Sequence, residues 1–181
     1  MAYSVEIAKA GSPSVLRIKE IDIPAVASDE ICVEVHYAGI NFADILMRLG
    51  LYNPRPPYPF TPGYEVSGVI HSVGSNVTEF EVGQRVVAAM PTGGQCSHIA
   101  VKVSRVIAIP DDMGLDEAAA IPVTYLTAHH MLHYLGHLKK GETVLIHGGA
   151  GGVGTAALQL CQWAGIDRVW ATASGHKADV I

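Results

Sequence analysis

A strand, a glycine-rich turn and a helix in direct succession constrain this chain more than any other feature. The apolar run Thr143-Val144-Leu145-Ile146 leads into His147-Gly148-Gly149-Ala150-Gly151-Gly152-Val153-Gly154, and the helix-forming Thr155-Ala156-Ala157-Leu158-Gln159-Leu160 follows. A G-x-G-x-x-G match is weak alone and gains weight where a strand feeds a helix through it. The pattern assigns Gly149 to the tight turn, Gly151 to close approach of a pyrophosphate and Gly154 to the packing of helix on strand. N–H groups at the helix start would face phosphate charge. The competing reading is a glycine-rich turn with no ligand.

Arg168-Val169-Trp170-Ala171-Thr172-Ala173 is the expected second parallel strand, roughly 20 residues beyond the first glycine. An NAD site places Asp or Glu at the end of that strand to hold the ribose 2′-hydroxyl. Here the strand ends in Ser174-Gly175-His176-Lys177, with Asp167 at the wrong end and Asp179 beyond the turn. A hydroxyl and a cation suit a 2′-phosphate, which takes donors and positive charge. The residues therefore favour NADPH over NADH, against the alternative of an ordinary polar turn.

Composition narrows the class. The chain has 181 residues, 49% of them hydrophobic, and a formal net charge of −5. That balance describes a folded protein and argues against nucleic acid as a partner. No apolar run reaches the roughly 18 residues of a membrane span, and the N-terminus does not read as a secretory signal. Cys32, Cys96 and Cys161 are widely spaced and odd in number, and read as reduced thiols of a cytoplasmic protein.

Residues 1 to about 110 are dense in short alternating runs. Strands are expected at Leu16–Ile21, Glu30–Val35, Glu65–Gly74 (with Gly68 allowing a bulge or close backbone approach), Arg85–Ala89 and Ser97–Val101. A helix is expected over Asn41–Arg48, and the prolines of Asn53–Pro59 require a loop. After Pro110, Asp116 is expected to cap a helix through Ala120, and a longer helix is expected from Pro122 to about Tyr134. The fold class is α/β: a β-rich domain over residues 1–120, then the first βαβ portion of a nucleotide-binding domain over 121–181. Such a sheet commonly has six strands, so the chain reads as a truncated form or part of a longer one.

Several segments resemble the medium-chain dehydrogenase/reductase superfamily, within it the zinc-independent quinone oxidoreductase branch with its zeta-crystallin-like and vesicle amine transport protein-like members. The matching segments are Ala38-Gly39-Ile40-Asn41-Phe42-Ala43-Asp44, Pro62-Gly63-Tyr64-Glu65-Val66-Ser67-Gly68 and Val82-Gly83-Gln84-Arg85-Val86. Glu117-Ala118-Ala119-Ala120-Ile121-Pro122-Val123-Thr124-Tyr125-Leu126-Thr127-Ala128 and the glycine loop complete the set. The resemblance implies a GroES-like β domain followed by a Rossmann domain, a cytoplasmic protein and homodimerisation. It also implies NADPH-dependent hydride transfer to a quinone or an α,β-unsaturated carbonyl. The alternatives kept are a non-catalytic NADPH-binding member and an inactive truncated form.

Zinc-dependent relatives carry G-H-E where this chain has Gly63-Tyr64-Glu65, and Asn41 stands near the place of a ligand cysteine. No metal is expected, including at His129, His130, His133 and His137, which lack an H-E-x-x-H arrangement. By resemblance, Asn41 lies at the nicotinamide and substrate pocket, Tyr52 lines the cleft as a donor or by packing, and Asp44 orients a neighbour. Thr124 would contact the nicotinamide. Gly149 and Gly154 would shape the loop, Gly151, Gly152 and Val153 would meet the pyrophosphate, and Ser174 and Lys177 the 2′-phosphate.

Overall fold

Alternating β-branched and polar residues build most of the first part of the chain into antiparallel strands. The computed structural model describes residues 1–53 and 56–180, which divide into two units meeting between Pro122 and Val123. In the first, β1 (Ala2–Ile7) pairs antiparallel with β2 (Leu16–Ile21), from Ala2 opposite Ile21 to Ile7 opposite Leu16. A five-stranded sheet combines β3 (Glu30–Ala38), β4 (Glu65–Val73), β5 (Arg85–Ala89), β6 (His98–Lys102) and β7 (Val106–Ala108) in the order β6-β3-β4-β5-β7.

Residues two apart share a face, so Ile31 and Val33, Val66 and Ile70, Val86 and Ala88, and Val101 form one buried cluster. Each buried valine or isoleucine there is worth about 1.5–3 kcal/mol relative to exposure. Gly68 has both expected roles: it pairs with Val35 beside a register shift, and a Cβ on it would overlap the Glu34 carbonyl oxygen. Helix α1 (Phe42–Leu49) turns Met47 onto Ile7 and Phe60. Of the proline-rich loop expected at Asn53–Pro59, Pro54 and Arg55 lie outside the described residues.

Helix α2 (Leu115–Ala119) begins two residues earlier than expected, with Gly114 rather than Asp116 at its cap. Glu117 explains the shift, since its carboxylate reaches back to accept the Gly114 N–H at 3.1 Å, while Asp116 falls inside the first turn.

In the second unit α3 (Pro122–His129) starts at proline as expected, but α-helical geometry stops short of Tyr134. Residues His130–Leu135 form a π-helical turn, closed by the Gly136 N–H donating to the Met131 carbonyl at 2.9 Å. His137, beyond that turn, has a φ of 49° and so does not continue the helical path of His133. Strand β8 (Thr143–His147), helix α4 (Gly152–Trp163) and strand β9 (Arg168–Thr172) follow, with β8 and β9 parallel and in register from Thr143–Arg168 to His147–Thr172. Ala128, Ala156 and Ala157 form the buried contact of α3 with α4, and Ile146 of β8 packs against it. Among the described residues no helix is long and apolar enough to cross a membrane, and the three cysteines are free.

Candidate functional site

In the first unit the sequence brings two carboxylates into the interior, and each has a stated occupation. Asn41 precedes α1 in extended backbone, and Asp44, three residues on, accepts the Asn41 N–H through Oδ2 at 2.9 Å. The other oxygen, Oδ1, accepts the Gly63 N–H at 2.9 Å. Asp44 is 5% exposed, and both its oxygens tie the turn at Gly63-Tyr64-Glu65 to the start of α1. Burial pushes its carboxyl above the ordinary range, and the N–H donors of Asn41 and Gly63 oppose that shift.

Glu65 opens β4 and is 2% exposed. Its Oε1 accepts the Asn41 side-chain amide at 2.7 Å. A Cβ on Gly39 would overlap that carboxylate, so the residue type at 39 makes room for it. This carboxylate was not among the expected site residues. An acid at the head of the otherwise small and apolar Val66-Ser67-Gly68-Val69 run, with a glycine two residues before Asn41, was the available signal.

The Tyr64 phenol lies beside that of Tyr52 and donates to the Met47 sulfur at 3.7 Å. Burial, then Tyr52 and Asp44, push the Tyr64 phenol up to about 12, so it stays protonated and able to donate at neutral pH. Asn41, Asp44, Tyr52, Tyr64 and Glu65 thus form one connected polar cluster. It offers amide and phenol donors, and its two carboxylates are already engaged in hydrogen bonds.

In the second unit the glycine loop joins β8 to α4. Gly148, with φ +72°, takes the left-handed turn expected of Gly149. Gly149 instead donates its N–H to the Thr172 carbonyl at 2.9 Å, which fastens the loop to the end of β9. A Cβ on Gly154 would overlap the Gly148 carbonyl oxygen and crowd Gly149, so the glycine at 154 lets the first turn of α4 close onto the loop itself. Gly151 caps α4, and its own N–H bonds the Gly148 carbonyl at 2.9 Å. Helical geometry offers no carbonyl partner to the N–H groups of Gly152, Val153 and Gly154.

Thr124 on α3 sits against Gly152, its methyl 3.1 Å from where a Cβ on that glycine would lie. Ser174 and Lys177 are exposed on the turn that follows β9, with the Lys177 N–H bonded to the Ser174 carbonyl at 2.8 Å. The Gly149–Thr172 bond therefore brings the loop and the head of the Ser174–Lys177 turn to one end of the βαβ unit. A cleft of about 460 Å³ lies beside it, lined by Met131, Leu132, Leu145, Gly148, Val153 and others.

Residues 27–132 match the alcohol dehydrogenase GroES-like domain. The synaptic vesicle membrane protein VAT-1 homolog of Danio rerio is 44% identical over 158 residues, covering 87% of this chain and 33% of that protein. The structure of the CurK enoyl reductase superposes with a TM-score of 0.92 at 35% identity, covering 98% of this chain and 56% of that one. The quinone oxidoreductase from Thermus thermophilus, solved with and without NADPH, superposes with a TM-score of 0.85 at 34% identity, covering 98% and 56%. The chain spans a third of the curated relative's length and little more than half of each solved chain.

Proposed function

Because the chain belongs to the GroES-like medium-chain dehydrogenase/reductase family, in its zinc-independent branch of quinone oxidoreductases and VAT-1-like proteins, we propose that it serves an NADPH-dependent reduction of quinones or α,β-unsaturated carbonyls. The observation that carries the reading is the glycine loop. Gly154 leaves no side chain between helix and loop, and α4 presents open N–H groups from Gly152, Val153 and Gly154. Such a helix start binds a pyrophosphate through donors and dipole. Ser174 and Lys177 take the 2′-phosphate, where an acid would have repelled it. Thr124, beside Gly152, orients the nicotinamide end.

NADPH, when bound, supplies the hydride, and the protein supplies position and charge stabilisation. Tyr64 stands in the place of a zinc ligand in the zinc-dependent relatives, so negative charge developing on a substrate oxygen falls to hydrogen-bond donors. Asn41 Nδ2 carries two protons: Glu65 takes one, which fixes the amide plane, and the second is left to donate to that oxygen. Tyr52, exposed and next to Tyr64, is a further donor. Asp44 is a positioning residue, holding Gly63 and Asn41 rather than moving a proton. The same reading takes the whole protein to be a cytoplasmic homodimer.

Parallel titration with NADPH and NADH, followed by nucleotide fluorescence, tests the cofactor assignment, and equal affinity for the two would overturn it. NADPH oxidation in the presence of a panel of quinones and 2-alkenals tests the chemistry. Tight NADPH binding without oxidation by any acceptor would replace it with the non-catalytic binding alternative.

A further inference from the structure

Strands β6, β3 and β4 lie side by side, and each contributes one metal-ligating side chain to the same face of the sheet. His98, Glu34 and His71 offer three ligand atoms that all lie within 4.8 Å of one another. Glu34 and His98 are direct partners in the antiparallel β3–β6 register. Residues paired in this way share a face, with Cβ atoms about 4.5–5.5 Å apart.

His71 arrives by a bulge. Cys32 pairs with Ser72 and Val33 with Ile70, which leaves His71 as the extra residue of β4. In an unbroken ladder His71 would oppose Val33 and point into the core, and the bulge turns it to the side of Glu34. Spacings of 37 and 27 residues hide this group from any motif search. Only the strand order assembles it.

We propose that Glu34, His71 and His98 form a binding site for a divalent transition-metal ion of the zinc class. Two imidazoles and one carboxylate are a sufficient protein ligand set for zinc, with water completing the coordination. Ser97 Oγ lies 3.2 Å from His98 Nδ1, which steadies the ring and leaves Nε2 to bind. The Glu34 carboxylate has no hydrogen bond or ion pair among the described residues, and Glu34 and His71 are exposed. The site is independent of the hydride-transfer reading. Its consequence is to cross-link three neighbouring strands.

The test is a zinc titration of the 181-residue chain against a chromophoric chelator, with far-UV circular dichroism and thermal melts on every variant. One zinc per chain is expected at this site, together with a zinc-dependent rise in melting temperature. Glu34→Gln, His71→Ala and His98→Ala should each weaken zinc binding about tenfold or more and abolish that rise. The three side chains are exposed or half-exposed, so the folded state survives their loss. A His129→Ala/His133→Ala double variant should bind zinc as the parent does. The proposal is overturned if the three single variants retain parental affinity, or if only the double variant loses it.

Discussion

The two regions that carry the functional reading solve opposite problems. Around Asn41 the polar groups bind one another: Asp44 uses both oxygens on backbone N–H groups, and Glu65 accepts the Asn41 amide. Around the glycine loop the start of α4 leaves the N–H groups of Gly152, Val153 and Gly154 without helical carbonyl partners, and glycine at 154 lets the loop approach the helix. The first is a closed network that sets the direction of a few remaining protons. The second, on the proposed reading, is completed by the phosphates of the cofactor. Substitutions in the two regions should therefore separate cleanly, those in the cluster acting mainly on folding and those in the loop mainly on nucleotide affinity.

The largest effect is expected from Gly154→Val. The added side chain overlaps the Gly148 carbonyl and forces the loop away from α4, at about 1–3 kcal/mol or more of strain. NADPH binding should be lost altogether, and retention of it by fluorescence titration would contradict the loop's role. Asp44→Ala is next. It strands the Gly63 N–H in a buried turn, at about 1–3 kcal/mol in a denaturant melt, while NADPH affinity stays at the parental value. A comparable loss of nucleotide affinity would erase the contrast between the two regions.

Lys177→Ala is expected to weaken NADPH by about tenfold, one charge-assisted contact being worth about 1.5 kcal/mol, and to leave NADH unchanged. A variant that binds NADPH as tightly as the parent would remove Lys177 from the 2′-phosphate site. The smallest effect sharpens the cluster itself. A phenol pKa raised in the folded state adds stability that is whole below pH 10 and is lost as the pH climbs through about 12. Ultraviolet titration should show one phenol ionising near pH 12, and Tyr64→Phe should remove it. A Tyr64 transition near the ordinary value would mean that the phenol is not buried against Tyr52.

Legibility in the sequence followed the range of the interactions. Strands β2 and β5 lie where alternation places them, and α1 is displaced by one residue. The π-helical turn at His130 escaped because apolar spacing does not distinguish i→i+5 from i→i+4 closure over six residues. The three-residue β7 is too short for periodicity to register. Asn41 was legible as a residue at the start of a helix, but its partner Glu65 is 24 positions away and is brought to it only by the pairing of β3 with β4.

The sequence alone determined that a strand, a glycine turn and a helix follow one another. It also determined that no acid ends the next strand and that Tyr64 cannot serve as an imidazole ligand. These are local facts, set by residue type and spacing along a few turns of chain. The tertiary structure decided which glycine takes the left-handed turn, which carboxylate holds Asn41, and that a bulge carries His71 to Glu34 and His98. Each of those depends on register between strands remote in sequence, where a shift of one residue sends a side chain to the opposite face.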